Sequence, residues 1–364
     1  MTGSVHGTAR WGRDTPATAS SRRCRIWLLG AVLLPALCGS SAWSQTAYLV
    51  ADLAPGVKDD ASLIPSGYLS LGGKTLFFAN PVGDDGDDLW VTDGTAAGTQ
   101  RLPTPCLVSP CSSSLEVLTA VGGVGFFRES YGEGTNRPVG LWRSDGTRAG
   151  GFALPLGSFS VAEYGAAYAV AGGILYFTAY SDTAAKLWRS DGTSSGTSIV
   201  ADLNTDFNFA PGAPVFLASA GGSLFLLGQG APAHLWKSDG TLAGSVEVPG
   251  FQAVGGVGLL AVGTRIVAVG TDSSDSLQLW ASDGTAAGTR QLTHLVTPSV
   301  YTDYNVPVFL MTTDAKVYFA VADANLGTQL WVSDLTPAGT LPTTAFGSSP
   351  GSSFQVPTSS QIVE

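Results

Sequence analysis

The sequence predicts an all-β fold in which one small sheet is repeated along the chain, and three observations carry that prediction. The phrase Leu-Trp-x-Ser/Thr-Asp-Gly-Thr-x-x-Gly occurs six times, starting at Leu89, Leu141, Leu187, Leu235, Leu279 and Leu330. Its tryptophans, Trp90, Trp142, Trp188, Trp236, Trp280 and Trp331, stand 52, 46, 48, 44 and 51 residues apart. Each period holds four short apolar runs, and four strands per period of about fifty residues is the spacing of a β-propeller blade. The 47 glycines and the low charged fraction of 13% suit a turn-rich all-β chain.

The phrase itself reads as the third strand of a sheet and the turn that ends it. Leu and Trp are neighbours, so they point to opposite faces. A sheet that needs bulk on both faces is sandwiched between two others. Asp-Gly then breaks the strand: the Asp side chain accepts bonds from backbone donors just downstream, and Gly takes positive φ. These are capping roles for Asp93, Asp145, Asp191, Asp239, Asp283 and Asp334. Leu335 stands where Gly94, Gly146, Gly192, Gly240 and Gly284 stand. A Leu resists positive φ, so the last turn is expected to be reshaped.

A second strand lies upstream of each Trp. Its copies are Leu76-Phe77-Phe78, Phe126-Phe127, Leu175-Tyr176-Phe177, Leu224-Phe225-Leu226, Ile266-Val267 and Val317-Tyr318-Phe319. Four of these follow Gly-Gly (Gly72-Gly73, Gly122-Gly123, Gly172-Gly173, Gly221-Gly222), a hairpin signal. A first strand precedes the hairpin, as in Tyr68–Leu71, and a fourth follows the Asp-Gly turn, as in Thr197–Val200.

The phrase resembles that of the ELWxxDGT-repeat proteins, a family of secreted bacterial proteins, over essentially the whole chain after residue 45. The resemblance implies a propeller-like array and export, and no particular activity. The chain departs at the leading Glu, where it holds Asp88, Gly140, Lys186, His234, Gln278 and Gln329.

Residues 1–44 read as a secretory signal peptide. Arg10, Arg13, Arg22, Arg23 and Arg25 form a basic lead, Ile26 to Leu37 a short apolar run, and Ala42-Trp43-Ser44 a cleavage site. Ser21-Arg22-Arg23 hints at a twin-arginine signal, and Cys38 at lipid attachment, as alternatives. The expected location is extracellular, at the cell surface or periplasmic. The apolar run falls short of the roughly 20 residues that cross a bilayer. Removing the five arginines and Asp14 takes the formal charge from −10 to −14. Such a protein repels nucleic acid and anionic membranes. In an oxidising compartment Cys106 and Cys111, five residues apart, are expected to form a local disulfide.

One domain, residues 45–346, is expected to hold six four-stranded blades. Tyr48–Leu53 matches the fourth-strand segment Ser198–Leu203, so the ring is expected to be closed by this N-terminal strand. Thr340 to Phe346 competes for that place. Residues 347–364 form a tail rich in Ser, Pro and Thr.

Signals for chemistry are sparse. No Gly-x-Ser-x-Gly elbow and no phosphate loop occurs, and His234 and His294, the histidines after residue 44, lie in no metal or triad spacing. The arginines are scattered, unlike a sialidase cluster. A catalytic group is needed once, not in every repeat, so the six aspartates and six tryptophans read as structural. Asp84, Asp85, Asp87 and Asp88 crowd one loop and offer hard oxygen ligands to Ca²⁺, with a solvated acidic turn as the alternative. No other cofactor is expected. The leading expectation is a secreted, non-enzymatic propeller that binds a protein or glycan. An exported carbohydrate-active hydrolase or lyase, and a calcium-stabilised surface protein, are the alternatives.

Overall fold

A computed structural model describes residues 65–79, 88–103, 113–131, 139–162, 167–181, 184–210, 215–228, 232–251, 256–271, 276–295, 308–313, 315–323 and 327–345. The signal segment 1–44, the strand at 48–53, Cys106 and Cys111, Asp84, Asp85 and Asp87, and the tail 347–364 lie outside these residues.

Among the described residues the chain is all-β, a propeller of six antiparallel sheets, each built from strands consecutive in sequence. The first sheet comprises β1 (Ser66–Leu71), β2 (Lys74–Ala79), β3 (Asp88–Thr92) and β4 (Gln100–Arg101). The second comprises β5 (Ser113–Val121), β6 (Val124–Tyr131), β7 (Val139–Ser144) and β8 (Phe152–Ala153). In the third, β9 (Ser160–Val161) adds to β11 beside the path β10 (Tyr168–Ala171), β11 (Ile174–Tyr180), β12 (Ala185–Ser190), β13 (Ser198–Asp202). The fourth holds β14 (Val215–Ala220), β15 (Ser223–Gly228), β16 (Leu235–Ser238) and β17 (Val246–Glu247). The fifth holds β18 (Gly256–Val262), β19 (Arg265–Thr271), β20 (Leu277–Ser282) and β21 (Arg290–Gln291). The sixth holds β22 (Val308–Thr312), β23 (Val317–Asp323), β24 (Gly327–Ser333) and β25 (Leu341–Ala345). The fourth place of the sixth sheet is thus filled by the carboxy-terminal candidate, the segment that competes with the N-terminal strand.

The core lies between sheets. Five apolar clusters join the six sheets in succession. In each, the Leu face of one sheet meets the Trp face of the next. Leu89, Phe78 and Val91 meet Phe127 and Trp142. Leu141 and Phe126 meet Phe177 and Trp188. The same pattern sets Leu187 against Trp236, Leu235 against Trp280 and Leu279 against Trp331. Cross-strand aromatics thicken the Trp face: Phe77, Phe177 and Phe319 stack on Trp90, Trp188 and Trp331 at 6.1–6.4 Å between ring centroids. The second and third strands thereby present one apolar wall, in keeping with the large apolar residues of β2 and its counterparts.

The last repeat corrects one expectation. Leu335 keeps the turn instead of reshaping it: its φ is 65°, where the five glycines run from 76° to 93°. The bonds are those of the other copies, Thr336 N to Asp334 Oδ1 at 2.9 Å and Leu335 N to Ser333 Oγ at 3.0 Å. The side chain is only 4% exposed and packs on the fifth sheet with Val267 and Ala281. A Cβ at the equivalent Gly240 would run into Tyr176 of the preceding sheet, and one at Gly284 into Lys237. The fifth sheet offers Val267 and Ala281 where the third and fourth offer Tyr176 and Lys237, and Leu335 fills the room those small residues leave.

Candidate functional site

Each third strand has two chemically different ends. The Asp-Gly-Thr end is nearly the same in all six copies. Asp Oδ1 accepts from the Thr two residues on, at 2.8–2.9 Å from its N–H and 2.6–2.7 Å from its hydroxyl. The same Thr hydroxyl accepts from the N–H of the closing glycine at 2.9–3.1 Å. These bonds, the Thr hydroxyl first, hold the carboxyls of Asp93, Asp145, Asp191, Asp239, Asp283 and Asp334 below the usual carboxylate range. The closing glycine is required by close approach. A Cβ at Gly98, Gly150, Gly196, Gly244, Gly288 or Gly339 would overlap the carboxylate of its own turn.

The sequence phrase stopped one residue short. The residue after the closing glycine is Thr99, Thr197, Ser245, Thr289 or Thr340, and its hydroxyl bonds the Ser or Thr before Asp at 2.7–2.8 Å. It also donates to the carbonyl of the motif Thr at 2.6–2.7 Å. Gly151 stands there in the second copy and makes neither bond. The recurrence of Thr or Ser at that position was the signal available.

The leading end differs from copy to copy. Asp88, Lys186, His234 and Gln278 pair with residues on or just past the fourth strand. Asp88 is buried and meets Arg101 at 2.6 Å. Lys186 pairs with Asp202, and that contact, with backbone donors of Thr205 and Asn204, pulls the Asp202 carboxyl down to about 2. His234 Nδ1 lies 2.6 Å from Glu247 Oε1, and its Nε2 lies 3.3 Å from Asn208 Nδ2. With that amide donating to Nε2, Nδ1 carries the proton and donates to the carboxylate. Gln278 accepts from Thr293 Oγ1 and Leu295 N at 3.0 and 2.9 Å, and donates to Leu295 O at 2.9 Å. Gln329 accepts from the Trp331 indole at 3.2 Å. In the second sheet the place is Gly140, directly opposite Glu129. Glu129 is buried, and burial pushes its carboxyl up to about 7.

The structure therefore puts the sequence-singled residues in three settings. Trp142, Trp188 and Trp280 are buried between sheets, while Trp90, Trp236 and Trp331 are half-buried. The six aspartates sit in turns and bind their own loops. Asp88, the described member of the acidic loop, pairs with Arg101. Among the described residues no three His, Cys, Asp or Glu side chains gather as a metal site would need, and no helix is long and apolar enough to cross a membrane. The cluster nearest to catalytic chemistry is His234–Glu247, an oriented imidazole. Its other ring nitrogen is taken by the Asn208 amide.

No family model matches the chain, and no curated protein matches it in sequence. Solved structures resemble it weakly. TolB from Acinetobacter baumannii is 13% identical, with a TM-score of 0.38 over 76% of this chain and 65% of that one. Oligopeptidase B from Leishmania major is 13% identical, with a TM-score of 0.47 over 79% of this chain and 41% of that one. The protein lmo1340 from Listeria monocytogenes is 11% identical, with a TM-score of 0.45 over 81% and 86% of the two chains. The chain spans 65% of TolB and 46% of a puromycin hydrolase, both similar to it in fold.

Proposed function

We propose that this protein is an exported, non-enzymatic propeller of the ELWxxDGT-repeat type that binds a protein or glycan at the leading ends of its third strands. One observation carries the reading. In each repeated turn one carboxylate oxygen is bound by its own loop, whereas the residues just before Leu-Trp differ in charge and size from sheet to sheet. Repetition serves the scaffold, and variation is where recognition resides. Asp88, Gln278 and Gln329 are buried at this end, while Lys186 and His234 are half-buried and offer a cation and an imidazole to a hydroxyl-rich or acidic ligand. The export signal rests on residues 1–44, whose basic lead and apolar run are in the sequence.

The test is a glycan array and an equilibrium binding assay with the chain lacking residues 1–44. His234→Ala combined with Lys186→Ala should abolish capture of the ligand so found. Leu242→Ala, exposed at the turn end, should leave it intact. Binding that survives the first pair and fails in the second would place recognition at the wrong end and sink the reading.

A further inference from the structure

Glu129 breaks the pattern of the leading end. Its side chain is 1% exposed and lies opposite Leu115 on β5 and Gly140 on β7. Alternation along β6 puts it on the face where Phe127 and Trp142 meet the first sheet. Its Oε1 has no hydrogen-bond partner, and neither has the indole Nε1 of Trp142, a diagonal neighbour on that face. In the first sheet the corresponding indole, Trp90, donates to the Ala79 carbonyl at 3.3 Å. Ala79 holds the register place that Glu129 holds in the second sheet. A carboxyl has therefore been inserted where the equivalent sheet keeps a methyl group, and Gly140 leaves it no cross-strand partner.

The described charges around it are engaged elsewhere. Arg128 and Glu116 are paired with each other in register on the opposite face. Arg143 binds the Gly150 carbonyl and lies over Phe152. Asp88 and Arg101 stand on the Trp90 face of the first sheet, turned from the second. Lys74 shares the facing surface only at its turn end, beside Gly146, and Asp145 lies with Gly150 of its own turn and Arg143. A carboxylate so enclosed loses its water and gains no counter-charge among the described residues.

We propose that Glu129 is a proton-operated latch between the first and second sheets: neutral, it lies closed between them, and its ionisation opens that interface. The direction follows from burial, which raises the carboxyl from 4.5 to about 7 in the closed state. Below about 4.5 open and closed states both hold the proton. Between there and neutrality opening releases it, so the opening constant climbs roughly tenfold per pH unit. Above about 7 both states are ionised and the climb stops, after roughly 300-fold in all.

Amide hydrogen exchange between about pH 5 and about pH 8, corrected for the intrinsic rate, tests the latch. In the wild type, protection of β1–β3 and β5–β7 should fall with pH while the third to sixth sheets hold theirs. Glu129→Gln should keep protection at every pH, and Glu116→Gln should behave as wild type. Equal loss in Glu129→Gln, or loss spread evenly over all six sheets, overturns the proposal. Should Glu129→Gln not fold, infrared difference spectra of the wild type decide. A buried neutral carboxyl band that vanishes near neutrality, in step with protection, is expected, and its absence overturns the latch.

Discussion

Replacing Leu335 with Gly restores the residue that the other five repeats carry, yet the structure predicts a less stable protein. Two effects oppose each other. Glycine relieves a left-handed φ that costs a branched residue roughly 1–2 kcal/mol. Against this, a side chain 4% exposed is removed from between the fifth and sixth sheets. Deleting a buried Leu side chain costs about 2–5 kcal/mol, including the cavity left behind. The added glycine also costs about 0.5–1 kcal/mol in backbone freedom. Packing wins, for a net loss of about 1–4 kcal/mol. Urea unfolding with a shared slope measures it. Leu335→Ala separates the two effects: it loses most of the packing but keeps the strained φ, so it should fall about 1 kcal/mol below Leu335→Gly. A glycine variant as stable as the wild type would refute the claim that Val267 and Ala281 leave a space only Leu335 fills.

Thr197→Val removes a buried hydroxyl that serves both Ser190 and the Thr193 carbonyl. It should cost about 1–3 kcal/mol in chemical denaturation without loss of fold, as Gly151 shows the turn survives without that group. Gly196→Ala drives a methyl into the Asp191 carboxylate and should cost about 1–3 kcal/mol, whereas Gly173→Ala, at a Gly-Gly hairpin with open space, should cost only the strain of its φ of 74°. Lys186→Met removes the first cause of the low Asp202 carboxyl, so carbon-detected NMR titration should find it moved from about 2 toward 3.8. The turn aspartates, depressed below 3.8, contribute stability above that value that is lost as pH falls through their lowered range, while Glu129 contributes stability lost as pH rises from 4.5 to about 7. Thermal unfolding should therefore be highest in mildly acidic buffer, with Glu129→Gln flattening the alkaline side only.

What the sequence disclosed depends on the range of the cause. Leu and Trp on adjacent positions of a strand must face opposite ways, so the sandwiched sheets were readable from one repeat. The aspartate of each turn binds within its own loop, and a local spacing suffices to see it. Leu335 was misread because its conformation is decided in another sheet, by the small volumes of Val267 and Ala281. The leading residues looked unrelated as a column: Asp88, Lys186, His234 and Gln278. Arg101, Asp202 and Glu247 lie on fourth strands and Thr293 just past one. Asp202 stands directly opposite Lys186, beyond a bulge between Leu187 and Trp188 and sixteen residues away, whereas Glu247 stands opposite Trp236, diagonal to His234 and thirteen residues away. Complementarity of charge at a shifting offset does not show as a motif. Glu129 carried no signal, because its burial follows from Gly140 across the strand and from the first sheet beyond.

The two ends of the third strand then answer different demands within one repeat. At the turn end the Asp Oδ1, the Thr hydroxyl and the N–H of the closing glycine bond within the loop in all six copies, so the turn keeps its form whatever sheet it belongs to. That independence is what lets sheets be repeated. At the leading end the same economy would leave nothing for a ligand. There Asp88, Lys186, His234 and Gln278 each meet a partner of different sign or size: Arg101, Asp202, Glu247 and Thr293. Asp88 and Gln278 are buried, but the Lys186–Asp202 and His234–Glu247 pairs are partly solvated, and their net contribution to stability is small, about 0–1 kcal/mol each for an exposed pair. They can be exchanged between sheets without disturbing the core, and a surface whose chemistry changes cheaply over an unchanging frame is the arrangement from which a recognition face can be built.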